Sequence, residues 1–97
     1  MIRAGSIAVV TQRFAVRVDV THLPGILDPQ GVEVARALPA LGYHNVGDVT
    51  IGKTIAFTLD AADETAARAQ ADEMCRRLLA NPVIEAYAIT LTELAPT

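Results

Sequence analysis

The sequence predicts a single α+β domain. One observation is a strict alternation, with Phe14, Val16, Val18 and Val20 set against Arg13, Ala15, Arg17 and Asp19, the signature of a half-buried strand. A second is a pair of runs with apolar residues at helical spacing, opened by Asp28-Pro29 and by the acids between Asp60 and Glu64. A third is their order along the chain: strand, helix, strand, strand, helix, strand. At 97 residues and 52% hydrophobic, the chain has material for one core without a disulfide or metal staple.

Met1 to Gln12 is set apart as an N-terminal arm. Ile7 to Val10 is apolar but too short for a signal-peptide core. The domain proper is expected over residues 13–91, with 92–97 as a tail. After the first strand, Leu27-Asp28-Pro29-Gln30-Gly31 starts a helix, because Asp28 can accept from free N–H groups of the first turn and Pro29 sits where a missing N–H costs nothing. Val34, Ala35, Leu38 and Leu41 form the apolar side of that helix, and Gly42 ends it. Pro39 lacks the N–H that would bond back toward Ala35, which predicts a kink or a loosened last turn.

Val46–Ile51 and Thr54–Leu59 read as two short strands, with Gly52-Lys53 as the tight turn between them. The second helix places Ala67, Ala71, Met74 and Leu78 at core spacing and stops near Asn81, where Pro82 cannot continue it. A last strand carries Tyr87, Ile89 and Leu91 on one face. The leading assembly of this order is the ferredoxin-like βαββαβ sandwich: a four-stranded antiparallel sheet with both helices on one face. That topology brings the Asp28 helix entry, Gly52-Lys53 and the Leu79–Pro82 helix exit to one rim of the sheet.

Composition excludes several functions. A net charge of −3 and a pI near 5.2 disfavour a nucleic-acid partner, which would need a basic surface. No apolar run reaches the length of a membrane span, and the lone Cys75 cannot form an internal bridge, so the natural setting is a reducing cytoplasm. Cys75 reads as a small core hydrophobe. His22 belongs to the rim just described and His44 to the opposite one, roughly 20 Å away at about 1.5 Å per helical residue; they cannot share a metal. Ser6, the only serine, lies in the arm, so no hydrolytic triad is present. The carboxylates are scattered and the glycines isolated, leaving no acid/base pair and no phosphate cradle.

The sheet face turned away from the helices should show Ala15, Ala56, Ala86 and Ala88, with Arg17, Asp19, Thr54 and Thr58. It lacks the aromatics that stack RNA bases. Small residues on several strands suit close packing on another sheet, so self-association through this face is expected ahead of a plain solvated surface.

Three stretches, Leu27-Asp28-Pro29-Gln30-Gly31, Val49-Thr50-Ile51-Gly52-Lys53 and Leu78-Leu79-Ala80-Asn81-Pro82-Val83-Ile84-Glu85, closely resemble the PurS family, the small subunit of phosphoribosylformylglycinamidine synthase. The resemblance runs from about Arg13 to Leu91. It departs in the N-terminal arm, in Pro39, and in Pro82 where threonine is expected. It implies a chain with no catalytic residue, cofactor or metal of its own. Its implied role is a homodimer bridging a large synthetase subunit (PurL), which uses ATP and magnesium to activate the formylglycinamide ribonucleotide amide, and a glutaminase subunit (PurQ), which releases ammonia. The product would be formylglycinamidine ribonucleotide, in de novo purine synthesis. Asp28, Gln30, Gly31, Gly52, Lys53 and Asn81 are the candidate interface with the partner subunits. Capping and turn chemistry accounts for Asp28, Gly52 and Asn81, whereas Gln30 and Lys53 have no evident local task and are the stronger contact candidates. A ferredoxin-like domain that senses a small molecule through the His22–Ile26 segment stands as the alternative; a metal- or nucleic-acid-binding domain is disfavoured by the missing cysteine cluster, the acidic charge and the lack of exposed aromatics.

Overall fold

The computed structural model describes residues 11–95. Its elements are β1 (Gln12–His22), α1 (Pro29–Ala40), β2 (Lys53–Ala61), α2 (Glu64–Met74) and β3 (Glu85–Glu93), with a π-helical turn over Cys75–Leu79 extending α2. The sheet has three antiparallel strands in the order β2-β1-β3. The arm expected over residues 1–12 falls outside the described residues except for Thr11 and Gln12, and Gln12 already belongs to β1. At the other end, Thr92 and Glu93 extend β3 into the expected tail.

The core follows from the alternation in β1. Phe14, Val16, Val18 and Val20 are each at most 2% exposed, because β1 is the central strand and its inner face is covered by α2. Burial of side chains of this size stabilises by about 1.5–3 kcal/mol each. Ala67 and Ala71 of α2 and Cys75 of its π-helical extension are the matching residues, all fully buried, and their small size lets the helix lie close to the sheet. Asp63 caps α2 by accepting from the Ala66 N–H at 2.8 Å. The Tyr87 hydroxyl donates to Asp72 Oδ1 at 2.5 Å and thereby ties β3 to α2; Arg76 donates to the other oxygen at 2.8 Å. The Tyr87 hydrogen bond, with Arg76 behind it, holds the Asp72 carboxyl below the usual carboxylate range.

Three expectations need correction. The first concerns the sheet, which among the described residues has three strands and no fourth: residues 46–51 are irregular. Asp48 takes a left-handed conformation (φ 56°), which breaks the extended run. The Ile51 N–H, which could join a ladder, instead donates to the Asp28 carboxylate at the start of α1, and the Val49 carbonyl lies close over Gly31. Gly52-Lys53 is therefore not a hairpin tip.

The second concerns α1, which does not lie on the sheet. It makes no more than marginal contact with any other element, and Gly31 is its only buried residue. Val34 is 38% exposed and Leu41, just past the helix, 72% exposed. The third concerns the helix ends. α1 runs through Pro39 to Ala40, and its last turn tightens where a loosened one was expected, with Leu41 N–H donating to Leu38 O at 3.0 Å and Tyr43 N–H to Leu38 O at 3.1 Å around Gly42 (φ 98°). At the end of α2, the Ala80 N–H reaches back five residues to Cys75 O at 3.0 Å, a π-turn that keeps Leu79 against the core and leaves Leu78 83% exposed.

Candidate docking rim

The rim where β1 ends and β2 and β3 begin gathers most of the residues marked by sequence. Val20 pairs with Lys53, and His22 pairs with Glu85, so the two neighbouring strands both start beside the end of β1. The Leu23 N–H donates to Ile84 O at 2.8 Å and continues this pairing past the strand ends. The approach at Gly52 is close: a Cβ there would lie 2.3 Å from Val20 O and 3.0 Å from Thr21 Cγ2. Glycine is required at this position because the backbones touch, not because of a turn.

Asp28 closes the other side. One carboxylate oxygen accepts from the Gly31 N–H at 2.9 Å, the expected cap, and the other accepts from the Ile51 N–H at 2.8 Å. The Ile51 and Gly31 N–H groups hold this carboxyl below the usual range, and His22 contributes less in the same direction. Gly31 fits beneath it, since a Cβ there would meet Val49 O at 2.6 Å and Asp28 Oδ2 at 2.7 Å. A single carboxylate thus fastens both ends of the 29–51 excursion to each other.

Between these parts lies a small cleft of about 160 Å³, lined by His22, Gln30, Ile51, Gly52, Lys53 and Glu85 at the end of Val20. Gln30 and Lys53 are exposed there and, among the described residues, neither side chain has a hydrogen-bond or ion-pair partner. Glu85 accepts from the Asn81 N–H at 2.7 Å. Asn81 itself does not line the cleft; its side chain accepts from the Val83 N–H at 3.1 Å and its carbonyl from the Ile84 and Glu85 N–H groups, which is turn chemistry. It reaches the rim only through Glu85. The buried Nδ1 of His22 has no hydrogen-bond partner. Sequence reasoning had placed His22 at this rim but had not singled out Glu85, although it ends the third quoted stretch.

The alanine face lies on the other side of the sheet. Ala15 and Ala86 are half-buried, Ala56 and Ala88 exposed. They surround Arg17 and Asp19: Ala56 is opposite Arg17, and Ala88 is opposite Asp19. Arg17 Nε and Asp19 Oδ1 are 3.1 Å apart, and Thr54 donates to the same Asp19 oxygen at 2.7 Å. Among the described residues no helix packs on this face.

No cluster of three or more His, Cys, Asp or Glu side chains suitable for a metal occurs among the described residues. Nor is any helix there long and apolar enough to cross a membrane.

Residues 15–93 match the family model described as PurS, phosphoribosylformylglycinamidine (FGAM) synthase. The chain is 50% identical over 78 residues to the phosphoribosylformylglycinamidine synthase subunit PurS of Synechocystis, an alignment covering 80% of this chain and 78% of that one. Its fold is similar to that of Thermus thermophilus PurS, with a TM-score of 0.75 at 39% identity over 86% of this chain and 99% of that one. It is also similar to a chain in the PurLQS structure from Thermotoga maritima, with a TM-score of 0.74 at 29% identity, covering 84% and 98% of the two chains. With its rim and nearly all of its described residues inside these matches, the chain belongs to the PurS family.

Proposed function

We propose that this chain is the non-catalytic small subunit of phosphoribosylformylglycinamidine synthase, the ATP-dependent C–N ligase that converts formylglycinamide ribonucleotide and glutamine-derived ammonia to formylglycinamidine ribonucleotide in cytoplasmic purine synthesis. The family membership carries this reading. Support comes from the site: the cleft at the end of the sheet is lined by Gln30 and Lys53, whose side chains are exposed and have no partner among the described residues. ATP and magnesium belong on the large synthetase subunit, and no step passes through this chain's carboxylates.

The role is assembly. Ammonia passing between a glutaminase and a synthetase has to be kept from bulk water, which demands subunits docked in fixed register. The rim formed by Asp28, Gln30, Gly31, Gly52 and Lys53, with Asn81 acting through Glu85, is the proposed docking surface. Asp28, Gly31 and Gly52 shape it, and Gln30 and Lys53 make the contacts. The face of Ala15, Ala56, Ala86 and Ala88 is the proposed sheet-on-sheet homodimer contact. Its centrally placed Arg17 and Asp19 suit a two-fold partner, which can set each arginine near the other copy's aspartate.

Binding measurements with the purified large subunit test the rim. Lys53→Ala and Gln30→Ala are expected to weaken association about tenfold each, the scale of one lost interface contact, with unchanged circular dichroism. Native affinity in both variants would overturn the docking assignment while leaving the family membership intact.

A further inference from the structure

We infer that the rim cleft is a binding site for a free amino acid, held by its two opposite charges between Lys53 and Glu85. The strand register sets these charges in a row. Lys53 is opposite Val20 and Glu85 is opposite His22, and His22 follows Val20 by two residues on β1. Directly opposed side chains, and side chains two apart on one strand, share a face of a sheet. Lys53, His22 and Glu85 therefore project from the same face as the buried Val20, the face that carries α2.

Neither charge is neutralised within the chain. β1 runs between the other two strands, so the Lys53 and Glu85 backbones stand two strand spacings apart, about 10 Å, and their side chains do not pair. Lys53 is exposed with no partner among the described residues. Glu85 is half-buried, with one oxygen fixed by the Asn81 N–H and no cation on the other among those residues.

A ligand that satisfies both groups has to carry both signs, because a simple anion would also face Glu85 and a simple cation would also face Lys53. An amino acid turns its carboxylate to Lys53 and its ammonium to the free Glu85 oxygen. The cleft volume of about 160 Å³ equals about five waters, which admits a molecule of this size. It falls short of the roughly 300 Å³ at which pockets for cofactor-sized ligands begin, so a nucleotide is excluded.

Two neutral groups complete the walls. Gln30 offers a free amide that donates and accepts at once, which suits a polar side chain on the ligand. His22 stands between the two charges, and its buried Nδ1 has no hydrogen-bond partner. A half-turn of the ring moves this nitrogen to the opposite edge, and a ligand in the cleft supplies the partner it lacks. Gln30 and Lys53 are also the proposed docking contacts, so an occupied cleft and a docked partner exclude each other. That exclusion rests on the docking reading; the binding itself does not.

Calorimetric titration of the full chain tests the site with three probes: L-glutamine, N-acetyl-L-glutamine, which lacks the ammonium, and L-glutamine amide, which lacks the carboxylate. L-Glutamine should bind in the millimolar range, and loss of either charge should weaken binding about tenfold or more. Lys53→Met should weaken L-glutamine by the same factor and leave the amide unaffected. Glu85→Gln, which keeps an oxygen for the Asn81 N–H, should weaken L-glutamine and leave the N-acetyl probe unaffected. Lys53 is the only lysine in the chain, so its reductive methylation, followed by mass, should slow when L-glutamine is bound. No binding of L-glutamine, equal affinity for the three probes, or an unprotected Lys53 would overturn the site. Saturating L-glutamine should also lower the affinity of the chain for the purified large subunit. Unchanged affinity, with L-glutamine bound as expected, would overturn the exclusion and support the site alone.

Discussion

Asp28 and Ile51, 23 residues apart, are joined by a 2.8 Å hydrogen bond from the Ile51 N–H to the Asp28 carboxylate. The bond explains why a strand-like stretch does not enter the sheet and why α1 begins where it does. It also carries a charge. The carboxyl is held below its ordinary range by these N–H donors, so its contribution to stability is complete above the unfolded value near pH 4 and disappears as the pH falls through the folded value. Asp28→Asn should shrink the difference in melting temperature between pH 7 and pH 3, and in the native chain the Ile51 amide should exchange faster with solvent on acidification below pH 4. An unchanged pH response in the variant would show that the clamp does not operate.

Gly52 and Gly47 form a matched pair for a second prediction. A Cβ at Gly52 would lie 2.3 Å from a backbone oxygen, so Gly52→Ala has to displace the start of β2 and should cost about 1–3 kcal/mol or more. Gly47→Ala meets nothing within 4 Å and should change stability by no more than about 0.5 kcal/mol. Urea unfolding of the two variants measures both.

Cys75 is fully buried, and burial pushes its thiol up. It should be inert to a thiol reagent at neutral pH in the folded chain and react fully in denaturant. Cys75→Ser, which buries a hydroxyl among apolar neighbours, should destabilise by about 1–3 kcal/mol. Rapid labelling of the native protein would contradict this placement.

The core strand Gln12–His22, both helices and the last strand were legible because their signals are local: alternation, caps at Asp28 and Asp63, and apolar spacing. What sequence did not show depends on where backbone groups find partners. Val46–Ile51 has strand composition, but the Ile51 N–H is taken by a side chain 23 residues earlier and Asp48 turns left-handed. Val34 and Leu38 mark the apolar side of α1, yet periodicity identifies a face and not the chain that covers it. The π-turn at Cys75–Leu79 has no composition signal at all. Within the rim, Asp28, Gln30, Gly31, Gly52 and Lys53 were recovered because topology brings these ends together. Glu85 was passed over because a carboxylate at the start of a strand is unremarkable until its Asn81 and His22 neighbours are known.

Lys53 and Gln30 should act together. If both side chains reach into one partner surface, the double variant should lose the glutamine-dependent activity of the assembled synthase while ammonia-dependent activity, which needs no channelled nitrogen, persists. Equal loss of the two activities would place the defect in the large subunit's own chemistry and not in docking.

Reconstitution of the synthase from purified subunits decides whether this chain is its small subunit. The purified chain is added to a large synthetase subunit and a glutaminase subunit, and formation of formylglycinamidine ribonucleotide from glutamine is measured. This chain alone should show no turnover, and glutamine-dependent synthesis should appear only when all three are present. Failure to restore synthesis, where a PurS subunit from a relative restores it with the same partners, would contradict it.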